Sequence, residues 1–112
     1  MPRSKKRRVL SGNVGPYSIK AAIGSEEELQ EDGAKLAGMY FREGQQRCIL
    51  LAGDMDSMEF FDTLLHKLEH AINRIYGLEE DHAKLHVRAT AIAQWLVESG
   101  LVDPVKVRRA FK

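Results

Sequence analysis

All four histidines of this chain lie in one short stretch, as two pairs with the same spacing: His66 with His70, and His82 with His86. Four positions are about one helical turn, so on a helix each pair presents two imidazoles on one face. Neutral imidazole suits Zn²⁺. Three protein ligands with one open position make a catalytic arrangement, whereas four filled positions make a structural or regulatory one. The chemistry suggested is coordination of a single divalent metal. The plainer alternative is a solvated helical face, the commonest fate of polar residues at such positions.

The elements around the histidines support a helical placement. Phe61, Leu64, Leu65, Leu68, Ile72 and Ile75 recur at i, i+3, i+4 spacing and predict an amphipathic helix from Asp56 or Ser57 to Tyr76, stopped by Gly77. Leu85, Ala89, Ile92 and Leu96 predict a second, from Asp81 or His82 to Glu98, stopped by Gly100. Asp103 followed by Pro104 opens a short C-terminal helix to Phe111. Upstream, Tyr17 to Ile23 alternates like a strand, and Ser25 is a candidate N-cap for one helical turn in the acidic run to Asp32. Lys35 to Phe41 and Gln46 to Ala52 flank a glycine-containing connection and predict a β-hairpin. The unbroken apolar run Cys48 to Ala52 predicts a well-buried strand. The expected fold class is α+β: a small antiparallel sheet followed by two packed helices and a short C-terminal helix.

At about 100° per residue, the apolar stripe of the first helix centres near Leu68 and Ile72. His66 and His70 then lie nearly opposite it, with Glu59, Asp62 and Asn73 on their side and Glu69 on a flank. They face water or a groove, not the core. His82 and His86 lie beside the stripe of the second helix, near Ala93. The link from Gly77 to Asp81 is short, so the helices should pack as an antiparallel pair and bring one flank of the second near the first pair. The competing reading of His82 is a helix-start residue solvated among Glu79, Glu80 and Asp81.

Bulk composition bounds the rest. The chain has 112 residues, 44% hydrophobic and 29% charged, which fits one globular domain. Residues 1–10 read as a disordered basic arm and 11–112 as the single domain, with a turn-rich start at Ser11 to Pro16. No apolar run approaches the roughly 20 residues of a membrane span, and no apolar segment follows the basic start as a signal peptide requires. The lone Cys48 excludes an internal disulfide, fits a reducing cytoplasm, and reads as a buried structural thiol. Arg3, Lys5, Lys6, Arg7 and Arg8 mask an acidic body: without them 12 basic residues face 16 acidic ones. Nucleic acid contact is therefore expected of the arm rather than of a folded face. The run also resembles a nuclear-import signal. Trp95 and Phe111 are read as core aromatics, with an interface as the alternative.

The run from Thr63 to Ile72, TLLHKLEHAI, followed by Tyr76, Gly77 and Leu78, resembles the active-site helix of small zincin-like metallopeptidase domains of phages and bacteria, similar to the ImmA/IrrE and SprT-like groups. Lys35 to Tyr40 and Cys48 to Leu51 resemble that group's hairpin and the strand before the helix. The segment from His86 to Ala93 resembles the helix that carries the third ligand. The likeness covers roughly residues 15 to 100. It implies a minimal zincin-like fold, a Zn²⁺ cofactor, His66 and His70 as helix ligands, and a third ligand from the second helix. His86 ranks first for that role and His82 next, with Glu79 and Glu80 as acidic alternatives. In the family a glutamate directly after the first histidine is the general base that activates water. Here that position is Lys67, read as an exposed ammonium, which cannot accept a proton. Glu69 is the only substitute within the motif. It stands in the H-x-x-E-H order of inverzincins, turned about 160° from the usual place.

Three readings follow. The first is a zincin-like domain that binds a metal with impaired or altered peptide hydrolysis, a possible pseudoenzyme acting on a protein substrate, with Glu69 as its only catalytic candidate. The second is a non-enzymatic phage or mobile-element factor that docks on a host protein or nucleic acid. The third is a solvated histidine face without metal.

Overall fold

The computed structural model describes residues 7–112. Two strands, β1 (Leu10–Val14) and β2 (Tyr17–Gly24), form a hairpin around Gly15 and Pro16. A small second hairpin, β3 (Gln30–Glu31) with β4 (Ala34–Lys35), precedes β5 (Gly38–Glu43) and β6 (Gln46–Ala52). Three helices complete the chain: α1 (Ser57–Tyr76), α2 (His82–Glu98) and α3 (Pro104–Ala110). The α+β class, the two packed helices and the short C-terminal helix all match the sequence expectation.

The sheet itself is mixed rather than antiparallel. Its order is β1-β2-β6-β5, and β2 pairs with β6 in parallel, while β1–β2 and β5–β6 are antiparallel. Residues 25–37 carry the chain across to the far edge, where β5 forms, so β6 returns between β5 and β2. Alternation marks a strand but does not say which neighbour it pairs with. The unbroken apolar character of β6 is explained by this central place, since it packs on both faces. Ile49 and Leu51 join one core cluster, and Leu50 and Ala52 the other.

The first core lies under α1 and α3 and gathers Ile19, Ile49, Leu51, Phe60, Ala71 and Phe111. Phe60 meets Phe111 edge to face at 5.1 Å between centroids. Phe60→Ala, which empties a fully buried position, is expected to cost about 3–5 kcal/mol; a urea midpoint close to wild type would contradict this packing. The opposite face is covered by the 25–37 crossing, with Leu29 buried against Ala22 and Leu50. Ser25 caps that crossing as expected. Its hydroxyl accepts from the Glu28 amide and the Glu28 carboxylate accepts from the Ser25 amide, closing a single turn.

Several boundaries shift. Leu10 belongs to β1, and so does most of the segment read as turn-rich, leaving only Gly15 and Pro16 in the turn. Arg7 is tied by its guanidinium to the Glu28 carboxylate at 2.9 and 3.0 Å. Residues 7–10 of the expected disordered arm are thus placed, Arg7 by this ion pair and Leu10 in β1, and the rest of that arm, residues 1–6, lies outside the described residues. Phe111 is core, whereas Trp95 is 62% exposed on α2. Cys48 is half-buried, and desolvation pushes its thiol up. Among the described residues no helix is long and apolar enough to cross a membrane.

Candidate metal centre

The site is built where α1 ends and α2 begins. Asp56 caps α1 by accepting from the Glu59 amide, and Gly77 closes it in the left-handed region at φ 59°, a conformation that glycine adopts without steric cost. The link that follows is pinned by Asn73. Its side-chain nitrogen donates to the Glu80 carbonyl at 3.3 Å, and its oxygen accepts from the Glu80 amide at 3.0 Å. Asp81 then caps α2 by accepting from the Lys84 amide, which starts the helix at His82. These contacts set His82 over the pair on α1.

The four imidazoles cluster around His66. Its ring centroid lies 4.8 Å from His70, 4.8 Å from His82 and 4.9 Å from His86. The Nε2 atoms of His66 and His70 are 3.1 Å apart. One ligand nitrogen each from His66, His70 and His82 lies within 4.8 Å of the others. In a tetrahedral zinc site with bonds of about 2.0–2.1 Å, ligand nitrogens stand about 3.3–3.4 Å apart. The α1 pair is therefore already at metal-ligand separation, and the third ring is near it. The sequence ranked His86 ahead of His82; the structure brings His82 into the convergent set. His86 stands 6.3 Å from His82 and stacks against it, so it borders the set. Helix phase alone did not separate residues one turn apart on the same flank. Glu79 and Glu80 do not join the histidine set.

Charge favours neutral rings. Burial, then the Lys67 ammonium and the other rings, lowers His66 to about 4. Burial and Lys67 also lower His70. Among the described residues no carboxylate hydrogen-bonds to any of the four rings. Unprotonated imidazoles at His66 and His70 offer lone pairs, which is what a borderline metal ion requires. Asp62, one turn before His66, does not join the set; its Oδ1 is sealed from solvent and has no hydrogen-bond partner among the described residues, an uncommon and costly state for a carboxylate oxygen.

Glu69, the only carboxylate base offered by the motif, is committed elsewhere. Its Oε1 accepts from Arg88 Nε at 2.5 Å, and the same guanidinium grips the Glu80 carboxylate at 2.8 and 3.1 Å. Arg88 is thereby raised, and Glu80 lowered, relative to their usual ranges. The Glu69–Arg88–Glu80 bridge ties α1 to α2. It is an architectural use of a residue that the motif alone presents as catalytic. Lys67 also differs from expectation: it is half-buried rather than exposed, and desolvation lowers its ammonium.

Next to the histidines lies an open cleft of about 650 Å³. Edge strand β5 forms one wall with Met39 and Tyr40, and α1 and α2 form the other with Lys67, His70, Arg74 and His82. Nothing in the sequence marked Asn73, Arg88 or Glu80 as positioning residues, because their partners are backbone or side chains on another element. Asn73→Ala is expected to weaken metal binding about tenfold, as loss of a supporting contact does, while leaving the fold intact by circular dichroism. Unchanged affinity would remove its positioning role.

No protein-family model matches the chain, and neither a curated protein nor a solved structure is significantly similar to it, so the likeness of the α1 motif to zincin-like peptidases rests on those residues alone.

Proposed function

We propose that the protein binds one divalent metal ion, with Zn²⁺ the best candidate, through His66, His70 and His82, and that peptide hydrolysis of the zincin kind is impaired in it. The observation that carries this reading is the convergence of three ligand nitrogens within 4.8 Å on two helices. The 3.1 Å contact within the α1 pair supports it, as do the lowered His66 and His70. A bound zinc would supply Lewis acidity at the mouth of the cleft. Lys67 stands where a zincin has its carboxylate base, and Glu69 is engaged by Arg88. The chain's own residues therefore hold and orient a ligand better than they move a proton. The single half-buried Cys48 suits a reducing compartment such as the cytoplasm.

The test is metal content and affinity of protein purified without a histidine tag. One equivalent of zinc, held against a chromophoric chelator, is the expected result. Less than about 0.2 equivalents after dialysis against zinc would sink the proposal. Peptidase assays on the same zinc-loaded protein should show no cleavage that Glu69→Gln removes.

A further inference from the structure

We propose that the cleft beside the histidines seats a small oxyanion, a carboxylate or phosphate group, with Lys67 and Arg74 as its counter-charges. Lys67, His70 and Arg74 follow i, i+3, i+7 spacing on α1, so they form one row along the helix, and all three line the cleft. Lys67 is half-buried, yet among the described residues it makes no ion pair and donates no hydrogen bond. Arg74 likewise has no carboxylate partner. A partly desolvated ammonium without a partner is costly unless something binds it.

The acidic residues nearby do not fill this role. Glu80 lines the cleft but is held by Arg88, and Glu69 is held by the same guanidinium. Glu31 stands on the exposed rim, on β3. Asp62 is near the histidines in sequence but does not line the cleft. A metal on three neutral imidazoles would add two positive charges to this surface. The combination of Lys67, Arg74 and an uncompensated metal selects a ligand that is negatively charged and small enough to enter beside β5. A planar carboxylate or a phosphate meets the Arg74 fork and the Lys67 point charge together. The inference rests on the metal reading only for the strength of binding, because both cations are present without metal.

The experiment uses the full chain, with and without Co²⁺, and inorganic phosphate as the first probe. A second probe pair is a short acetylated peptide with a free C-terminal carboxylate and the same peptide as its C-terminal amide. Amide chemical shifts of residues 39–41 and 67–74 should move and saturate with phosphate or with the free-carboxylate peptide, and more tightly with Co²⁺ present. Lys67→Gln should weaken this about tenfold and Arg74→Gln several-fold, whereas Lys67→Arg should retain most of it and Lys106→Gln all of it. Response to the free carboxylate but not the amide identifies a carboxylate ligand, and response to phosphate alone identifies a phosphate. Shifts that persist in Lys67→Gln, or that spread over α3 instead of the cleft, overturn the proposal. So does an unresponsive cleft in protein that binds Co²⁺ normally, which would leave the metal site standing. If phosphate binds in the cleft but Co²⁺ does not bind at all, the metal reading falls and the anion site stands.

Discussion

His66→Ala is expected to weaken zinc binding by at least about 100-fold, more than the loss of a supporting contact would, while His86→Ala costs only a few-fold. The difference comes from the place of each ring. His66 is central, with its Nε2 at 3.1 Å from that of His70 and its ring 4.8 Å from His82. Removing it leaves His70 and His82, a two-ligand remnant that no longer closes a tetrahedron. His86 touches His66 ring to ring but stands outside the three convergent nitrogens. His82→Ala should resemble His66→Ala, which separates the two second-helix histidines directly. Chelator competition on tag-free variants measures all of these. Equal losses for His86→Ala and His66→Ala would move the third ligand to His86, and wild-type affinity in His66→Ala would remove the site.

Acidification from pH 6.5 towards 5 is expected to destabilise the metal-free protein, and His66→Gln to flatten much of that slope. His66 has a native value of about 4, below the 6.5 of an unperturbed histidine. Between these values the unfolded chain binds a proton that the native state refuses, so native stability falls as pH falls through that window. Above 6.5 both states are neutral and the contribution is constant; below about 4 both are protonated and the loss is complete. His70, lowered for the same reasons, acts in the same direction. The lowered carboxylates Glu28, Asp54, Asp56 and Glu80 start from ordinary values of 3.8 to 4.5. They lose stability only at lower pH, whereas Glu59, raised by the neighbouring Asp56 carboxylate, acts in the opposite direction, so the comparison with His66→Gln is what isolates the histidine. At His66 and His70 protons should also compete weakly with zinc below pH 6.5, because these two rings resist protonation. A urea midpoint that does not change over this range in the wild type, or an unchanged slope in His66→Gln, would contradict the burial and charge assigned to the cluster.

Both expectations use helix phase that the sequence shows. Asp56, Gly77, Asp81 and Asp103 are local signals, and the helices begin and end at them because capping is an interaction between neighbours in the chain. The α1 stripe was legible for the same reason, although Phe60 rather than Leu65 or Ile72 is a deep anchor. The stripe of α2 was less so: Leu85 and Ala89 are buried, but Ile92 is exposed and Ala93 takes its place. Helical period fixes a face only to within about a residue when few large apolar side chains mark it.

The sequence by itself determined the order of β2, β5, β6 and the three helices, the helix limits, the buried central strand and the pairing of His66 with His70, since each depends on residues within one turn or one strand; β1 and the β3–β4 hairpin were not legible in it. Only the tertiary structure decided what lies across a gap between elements. It made the sheet mixed, because the pairing partner of β2 is set by the route of residues 25–37. It brought His82 rather than His86 into the convergent set, because Asn73 and Asp81 fix the start of α2. It engaged Glu69, the candidate base, with Arg88, because a guanidinium nineteen positions away reaches it. It also left Lys67 half-buried and, among the described residues, without a counter-ion, an electrostatic fact that depends on every neighbour at once and on none that can be read along the chain.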